Sequence, residues 1–318
     1  MNFKFIKKNK ITFLFYNILK KIYHYAKEGK YNFFDNRKNY DTVCIVIAGY
    51  KNYLYHNVFA RLIKFLPANI DVCIVSSGLY DDTLKQIAVN NSWSYLYTKR
   101  NCVTLAQNIA IGFHQNAKYI YKMDEDIFVT KKSFETMMDT YKKVSTSGDY
   151  NVGFVAPLIP INGYGHLRIL KKLKLVDYYE THFERPIYAS YNTRFIEKDP
   201  AVAKFFWSDN GVFPKIDILN DLLQKEPFQY TSCPIRFSIG FILFTRESWD
   251  KFGRWEVPKK GSGMGLDEVQ ICSWCMSNSK AIIIAENTVV GHLSFGQQNF
   301  EMKKYYEKHN DIYNLLYI

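Results

Sequence analysis

The sequence has few features that would place the protein across a membrane or in an oxidising compartment. The apolar core of the N-terminal segment, residues 11–16, is too short to span a bilayer. No small-residue cleavage site follows it, which argues against a secretory signal. The six cysteines are scattered along 318 residues and form no regular framework, so a reducing compartment is favoured. We therefore expect a cytoplasmic protein.

The sequence also has no internal repeat and no low-complexity linker, and its length suits one large α/β domain or two smaller ones. The formal net charge is +12, but residues 1–30 carry eight lysines against one glutamate, a net +7. The remaining chain has no basic, aromatic-interleaved groove pattern, so we expect no nucleic-acid partner.

The basic N-terminal arm, residues 1–40, has apolar residues at helical spacing and lysines on the other side. The apolar positions that predict this amphipathic helix are Ile11, Leu14, Phe15, Ile18, Ile22 and Tyr25. Two interpretations stand side by side. The helix lies on an anionic membrane surface, as a peripheral protein on the inner face of the plasma membrane would, or it packs on its own domain.

Apolar runs of strand length alternate with helix-length segments from residue 41 onwards. The expected strands are 42–48, 70–75, 93–97 and 119–123, and the expected helices are 53–66, 82–91 and 103–116. This alternation predicts a mostly parallel sheet, whose ligands collect at the carboxyl ends of the strands. The alternation of strands and helices is less regular at 158–236. Beyond it we expect a strand at 237–245, a helix at 266–277 and a strand at 281–285.

Three adjacent carboxylates, Asp124, Glu125 and Asp126, end the fourth predicted strand. They repel one another and are costly to desolvate, and a bound divalent cation removes that cost. Mg2+ and Mn2+ prefer carboxylate oxygens, and Asp124 and Asp126 are two residues apart at a strand end, so both can face one site. Because Mg2+ also takes phosphate oxygens, the segment predicts a metal that holds a diphosphate.

The order of these features resembles the GT-A glycosyltransferases, especially the family-2-like enzymes of bacterial surface-polysaccharide pathways, over roughly residues 42–157 and 237–296. The resemblance implies a GT-A-like, Rossmann-like α/β fold with a mostly parallel central sheet flanked by helices. It divides residues 41–318 into a nucleotide-sugar half (41–157), a variable insertion (158–236) and an acceptor-side half with a C-terminal helix (237–318). The donor-binding residues that it implies are Ala48, Gly49, Tyr50, Ser77, Asp82, Asn101, Asn108, Asp124 and Glu125.

Two further features enter through the resemblance. A glycine-rich loop precedes Asp267 and Glu268, and one of such a pair can be the catalytic base. Glu268 matches by position, but the reversed order leaves Asp267 open, and acids also suit a first helical turn for structural reasons alone. His292 resembles the metal- or diphosphate-contacting histidine, which would join Asp124 and Asp126 as a ligand of Mn2+ or Mg2+. A structural role is the alternative for a lone histidine in an apolar setting.

The implied function is a metal-dependent, hexosyltransferase-type enzyme that moves a sugar from a UDP-sugar to a hydroxyl of a glycan or lipid-linked acceptor, with inversion. Two alternatives remain. A sugar nucleotidyltransferase would need a glycine-rich basic loop after the first strand, and residues 48–52 suit that poorly. The other alternative is a non-enzymatic, basic membrane- or nucleic-acid-associating protein. Against it, the positive charge lies mainly in the first thirty residues, and the body of the chain has no basic, aromatic-interleaved pattern.

Overall fold

The computed structural model describes residues 30–189 and 194–315. Within these residues eleven strands form two sheets. The strands are β1 (Tyr31–Phe34), β2 (Thr42–Ile47), β3 (Asp71–Ser77), β4 (Ser94–Thr98), β5 (Tyr119–Asp124), β6 (Ile127–Phe128), β7 (Val152–Leu158), β8 (Tyr230–Ser232), β9 (Phe241–Thr245), β10 (Ala281–Val289) and β11 (Gly291–His292). The large sheet has the order β1-β4-β3-β2-β5-β9-β7-β10-β8, and β6 and β11 form a separate two-stranded ribbon.

Helices connect the strands and pack against the large sheet. The α-helices are α1 (Tyr55–Phe65), α2 (Asp82–Asn90), α3 (Val103–Phe113), α4 (Ser133–Ser147), α5 (Gly165–Lys172), α6 (Val176–His182), α7 (Phe195–Lys198), α8 (Pro200–Phe206), α9 (Ile216–Gln224), α10 (Arg246–Phe252), α11 (Leu266–Ser277) and α12 (Asn299–Lys308). Short 3-10 helices cover Asn52–Leu54 and Asn310–Tyr313.

The centre of the sheet is parallel, as predicted. β2 pairs in parallel with both β3 and β5, and β3 pairs in parallel with β4. Strands that are covered on both faces have continuous apolar runs in their sequence. Residues Val43 to Val46 of β2 form such a run and are fully buried. Ile47 lies opposite Val75 on one side and Asp124 on the other. The carboxyl ends of three strands therefore meet at one edge, and the predicted α/β class with a mostly parallel sheet is confirmed.

The second half of the sheet is mixed. β9 runs antiparallel to both β5 and β7, while β7 and β10 are parallel. The strand expected at 237–245 is shorter, and residues 236–240 continue past the end of β5, where the Gly240 carbonyl accepts a hydrogen bond from the Asp124 amide at 2.8 Å. This segment carries the second half of the chain to the edge where β2, β3 and β5 end.

The predicted N-terminal arm and the predicted insertion both contribute elements to the described structure. β1 belongs to the arm as predicted at 1–40, yet it pairs with β4 as an edge strand of the sheet. The insertion 158–236 holds α5 to α9 and β8. The amphipathic helix expected over residues 11–25 lies outside the described residues. Of the helices that the structure describes, none is long and apolar enough to cross a membrane.

A buried ion pair ties α1 to α9 and to the C-terminal segment. Arg61 donates to both carboxylate oxygens of Asp217, at 2.8 and 2.9 Å, and also to the carbonyls of Val129, Tyr313 and Asn314. Removing one partner of such a pair leaves an uncompensated buried charge, which is strongly destabilising. All six cysteines lie in the described residues, and each is buried and free.

Candidate active site

The loop after β2 is held by Glu125. The Gly49 amide donates to one Glu125 carboxylate oxygen at 2.8 Å, and the Tyr50 amide donates to both at 3.1 Å. Gly49 has φ +141°, a backbone conformation that residues with a Cβ rarely adopt. Burial raises the pKa of Glu125, and the backbone amides oppose that rise. Glu125 was predicted to contact the donor, but its carboxylate is turned into the protein and shapes the loop.

Asp126 lies between two cationic or potentially cationic side chains. Its Oδ2 accepts from Lys51 Nζ at 2.5 Å and lies 3.3 Å from His292 Nε2. The ribbon of β6 and β11 brings His292 there, because His292 pairs with Ile127 and the Leu293 amide donates to the Asp126 carbonyl. Burial would raise the pKa of Asp126, but Lys51 and His292 outweigh it and hold that pKa far below its usual range. Asp126 is therefore ionised throughout the physiological range.

Asp124 engages a different lysine. Lys122 is almost fully buried in β5, and its Nζ lies 2.6 Å from Asp124 Oδ1 and donates to the Ile239 carbonyl at 3.0 Å. Burial is the main cause that raises the pKa of Asp124 to about 6, with Lys122 opposing it and Asp126 adding to it. The Asp124 side chain remains 34% exposed, so part of it is accessible to solvent.

The acidic pair at the start of α11 divides into a buried and a partly exposed member. Asp267 accepts from Gln107 Nε2 at 2.8 Å and from the Glu268 amide at 3.0 Å. Glu268 accepts from Arg236 Nε at 2.5 Å, and its side chain is 17% exposed. Burial raises the pKa of Glu268, Arg236 lowers it, and Asp267 raises it. Asp267 is positioned as a helix-start residue, and Glu268 is the member that faces outward.

The two acidic clusters belong to one site. The segment 236–240 lies between them, since the Arg236 side chain bonds Glu268 while the Ile239 and Gly240 carbonyls bond Lys122 and Asp124. The charge on Lys122 is stabilised by Asp124 and also by the acidic pair of α11, although burial opposes it. The contacts of the segment 236–240 therefore place the Asp-x-Asp carboxylates and the candidate base at one edge of the sheet.

The glycine-rich loop before α11 is docked on the start of α3. The Val103 amide donates to the Ser262 carbonyl at 2.8 Å. Gly263 has φ +68°, and a Cβ there would lie 3.0 Å from Thr104 Oγ1. Glycine is needed at this position both for its backbone conformation and for the close approach.

The remaining predicted donor residues fall into two groups. Ala48, Tyr50, Ser77 and Asn101 lie at or beside the strand ends: the Tyr50 hydroxyl donates to the Ser77 carbonyl at 2.6 Å, and Asn101 packs on Gly78. Asp82 is exposed in the first turn of α2, and its neighbour Asp81 is the residue that caps the helix.

Asn108 was predicted to contact the donor and instead has a structural position. Its side chain donates to the Trp255 carbonyl at 2.8 Å and accepts from the Trp255 amide at 3.1 Å. The Trp255 indole in turn donates to the Asp267 carbonyl at 3.1 Å. Both groups of the Asn108 amide are thus used to support the start of α11.

Sequence analysis missed three cationic residues of the site: Lys51, Lys122 and Arg236. Lys122 could have been found, because a lysine inside an apolar strand requires a buried partner, and Asp124 is two residues away on the same face. Lys51 and Arg236 carry no such local signal. Their partners Asp126 and Glu268 are 75 and 32 residues distant in the chain.

The predicted metal ligands are partly brought together. Among residues 30–189 and 194–315, no group of three or more His, Cys, Asp or Glu side chains is arranged to hold a metal ion. Asp126 and His292 meet, while Lys122 draws Asp124 towards itself. The physical reason is that the two ammonium groups neutralise the carboxylates as a cation would. If Lys51 moves aside, Asp126 Oδ2 and His292 Nε2 offer an oxygen and a nitrogen that suit Mn2+, so the residues fit a divalent cation.

No protein-family model and no curated protein matches the sequence. Many solved structures are similar in architecture, among them the following three. GalNAc-T7 with UDP, GalNAc and Mn2+ is 14% identical with a TM-score of 0.47, over 82% of this chain and 45% of that chain. A mannosyltransferase from Pyrobaculum calidifontis with GDP-Man and Mn2+ is 13% identical with a TM-score of 0.46, over 86% and 64%.

The third structure, a mycobacterial protein, is 13% identical with a TM-score of 0.41, over 82% of this chain and 70% of that chain. The chain spans less than half of the length of GalNAc-T7 and less than two thirds of the mannosyltransferase. At such identities and scores the likeness decides nothing about the chemistry of this site, which follows from its own residues.

Proposed function

We propose that the protein is a GT-A glycosyltransferase of hexosyltransferase type, which moves a sugar from a nucleotide-diphosphate donor, expected to be a UDP-sugar, to a hydroxyl of a glycan or glycolipid. One observation carries the proposal. Asp124 and Asp126 lie at the carboxyl end of a parallel strand, and Glu268 is brought to the same edge by the segment 236–240. A cation-binding group and a proton-accepting group then lie at one edge of the sheet, as displacement at an anomeric carbon requires.

The donor side is formed by Asp126, His292 and the solvent-accessible part of Asp124, which would hold Mn2+ or Mg2+. A divalent cation there would stabilise negative charge on the leaving diphosphate. Tyr50 supports a nucleotide beside it, because its side chain is exposed while its hydroxyl is bonded to the Ser77 carbonyl. Because the ring is already held in place, little side-chain conformational entropy is lost when a nucleotide base packs on it.

The acceptor side centres on Glu268 and not on Asp267. Asp267 is buried, and its two oxygens accept from Gln107 and from the Glu268 amide. Glu268 accepts from Arg236 and, at 3.4 Å, from the Ile239 amide, but its side chain stays 17% exposed and its pKa is raised. The proposed step transfers the acceptor hydroxyl proton to Glu268. The hydroxyl oxygen then forms a bond to the anomeric carbon as the bond to the diphosphate oxygen breaks. Attack from the side opposite the leaving group inverts the anomeric centre.

The alternative of a sugar nucleotidyltransferase is disfavoured by the loop after β2. Such an enzyme would bind a triphosphate with free backbone amides of this loop. Here the amides of Gly49 and Tyr50 donate to Glu125. The loop is therefore closed by a carboxylate where phosphate oxygens would have to bind.

The biological setting that we propose is the synthesis of bacterial surface polysaccharide at the inner face of the plasma membrane, on a lipid-linked acceptor. Its support is the net +7 of residues 1–30 and the apolar spacing within them. An anionic membrane surface attracts such a segment with about 1 kcal/mol for each lysine.

The test is a donor panel of UDP-, GDP- and other nucleotide sugars, assayed for hydrolysis and for transfer to simple glycans with Mn2+, with Mg2+ and with chelator. The expected result is release of a nucleoside diphosphate that depends on the divalent cation. Release of pyrophosphate from a nucleoside triphosphate and a sugar phosphate would establish the nucleotidyltransferase instead. No turnover and no binding of any nucleotide would refute both enzymes.

A further inference from the structure

We infer that Lys51 couples cation binding to donor binding. Its ammonium group pairs with Asp126 in the free protein, and it pairs with the donor diphosphate when a divalent cation binds to Asp126 in its place. This inference rests on the proposed function. It assigns to Lys51 a positioning role.

The geometry supports a direct competition. Lys51 Nζ and His292 Nε2 both lie within 3.3 Å of the same Asp126 oxygen, Oδ2. A divalent cation bound to that oxygen would be brought against the ammonium group, and the two cations repel each other strongly in a site shielded from water. The Asp126 side chain is only 6% exposed, so there is little room for both. Binding of the cation therefore requires that Lys51 leaves Asp126.

Once displaced, Lys51 needs another anion. The groups that act on its charge are Asp126, Tyr53 and Glu125. Glu125 is engaged by the amides of Gly49 and Tyr50. Tyr53 is neutral at physiological pH, because the ordinary pKa of a tyrosine hydroxyl is about 10 and burial raises it further. A diphosphate at this edge of the sheet would supply the missing negative charge.

The second lysine of the site is not equivalent. Lys122 has a side chain that is 3% exposed and is held by the Ile239 carbonyl as well as by Asp124. Lys51 is 23% exposed and extends from a loop, so it can swing towards solvent. Lys51 is thus the lysine of the site that can exchange partners.

The experiment measures Mn2+ binding with and without UDP, by the electron paramagnetic resonance signal of free Mn2+, so the readout does not depend on activity. The proteins are wild type, Lys51→Met, Lys51→Arg and the matched surface control Lys64→Met. Circular dichroism first establishes that each variant is folded. We expect Lys51→Met to bind Mn2+ without UDP at least tenfold more tightly than wild type, and UDP to enhance its Mn2+ affinity less than in wild type.

Lys51→Arg and Lys64→Met should retain the enhancement of wild type. The inference is overturned if Lys51→Met binds Mn2+ without UDP no more tightly than wild type, or if UDP enhances Mn2+ binding equally in both. In either case wild type can still bind Mn2+ and UDP together, and the proposed function then stands. If no protein binds Mn2+ under any condition, the inference and the cation part of the proposed function fail together.

Discussion

Replacing Arg236 with methionine should move the acid limb of the pH–rate profile to higher pH. Burial raises the pKa of Glu268, Arg236 and the Ile239 amide lower it, and Asp267 raises it, so removal of Arg236 takes away the largest of the lowering influences. A general base works only when it is deprotonated. The rate of wild type therefore falls as the pH falls through the pKa of Glu268, and that of the variant falls at a higher pH.

The magnitude follows from the exposure of the pair. An opposite charge in contact typically shifts a carboxyl pKa by about one to three units. Arg236 and Glu268 retain 23% and 17% of their side-chain exposure, so solvent screens the pair and the low end applies. We expect a shift of about one unit, which is about a tenfold loss of rate on the acid limb. The rate well above both pKa values should be unchanged.

The assay is kcat/KM for cation-dependent transfer across the acid range, with Glu268→Gln and Asp267→Asn beside it. Glu268→Gln should lower the rate by about 10²–10⁴-fold, the usual contribution of a general base, and should remove the acid limb. Asp267→Asn should do less. An acid limb that stays in place in Arg236→Met would refute the pairing argument, and a larger loss in Asp267→Asn than in Glu268→Gln would make Asp267 the base.

Three further outcomes are expected. Asp126→Asn should abolish the cation-dependent part of UDP binding in calorimetry with the fold intact, and unchanged cation-dependent affinity would contradict the site. Asp217→Ala should lower the free energy of unfolding in urea by about 3–5 kcal/mol, because it leaves the Arg61 guanidinium buried without its carboxylate, and a loss below about 1 kcal/mol would show that water reaches the pair. Deletion of residues 1–28 should weaken binding to anionic liposomes in sedimentation assays while sparing activity on a soluble acceptor, and binding that is insensitive to salt would speak against an electrostatic arm.

The parallel half of the fold could be predicted because its signals are local. A strand with helices on both faces is apolar along most of its length, so β2, β3, β4 and β5 were predicted within two residues of their observed bounds. The antiparallel insertion of β9 between β5 and β7 could not be predicted. It depends on pairing of residues more than 80 positions apart, for which no local pattern exists.

The candidate site divides in the same way. The Asp-x-Asp carboxylates stand out because they interrupt an apolar segment, and desolvation makes such an interruption costly without a purpose. The acidic pair was identified through the resemblance of the glycine-rich loop before it. The role of each carboxylate depends on the group that faces it. Glu125 turned out to hold the loop after β2, and Asn108 to support α11, because their partners arrive from distant segments.

The sequence by itself determined the α/β class, the parallel strands and the edge at which their polar residues collect, since burial and periodicity are properties of neighbouring residues. Only the tertiary structure decided the charge state of that edge. Lys51, Lys122 and Arg236 each neutralise a carboxylate, and which one each reaches depends on how the loop after β2, the interior of β5 and the segment 236–240 come together. Electrostatic interaction acts through space over a few ångströms, and the distance along the chain does not reveal it.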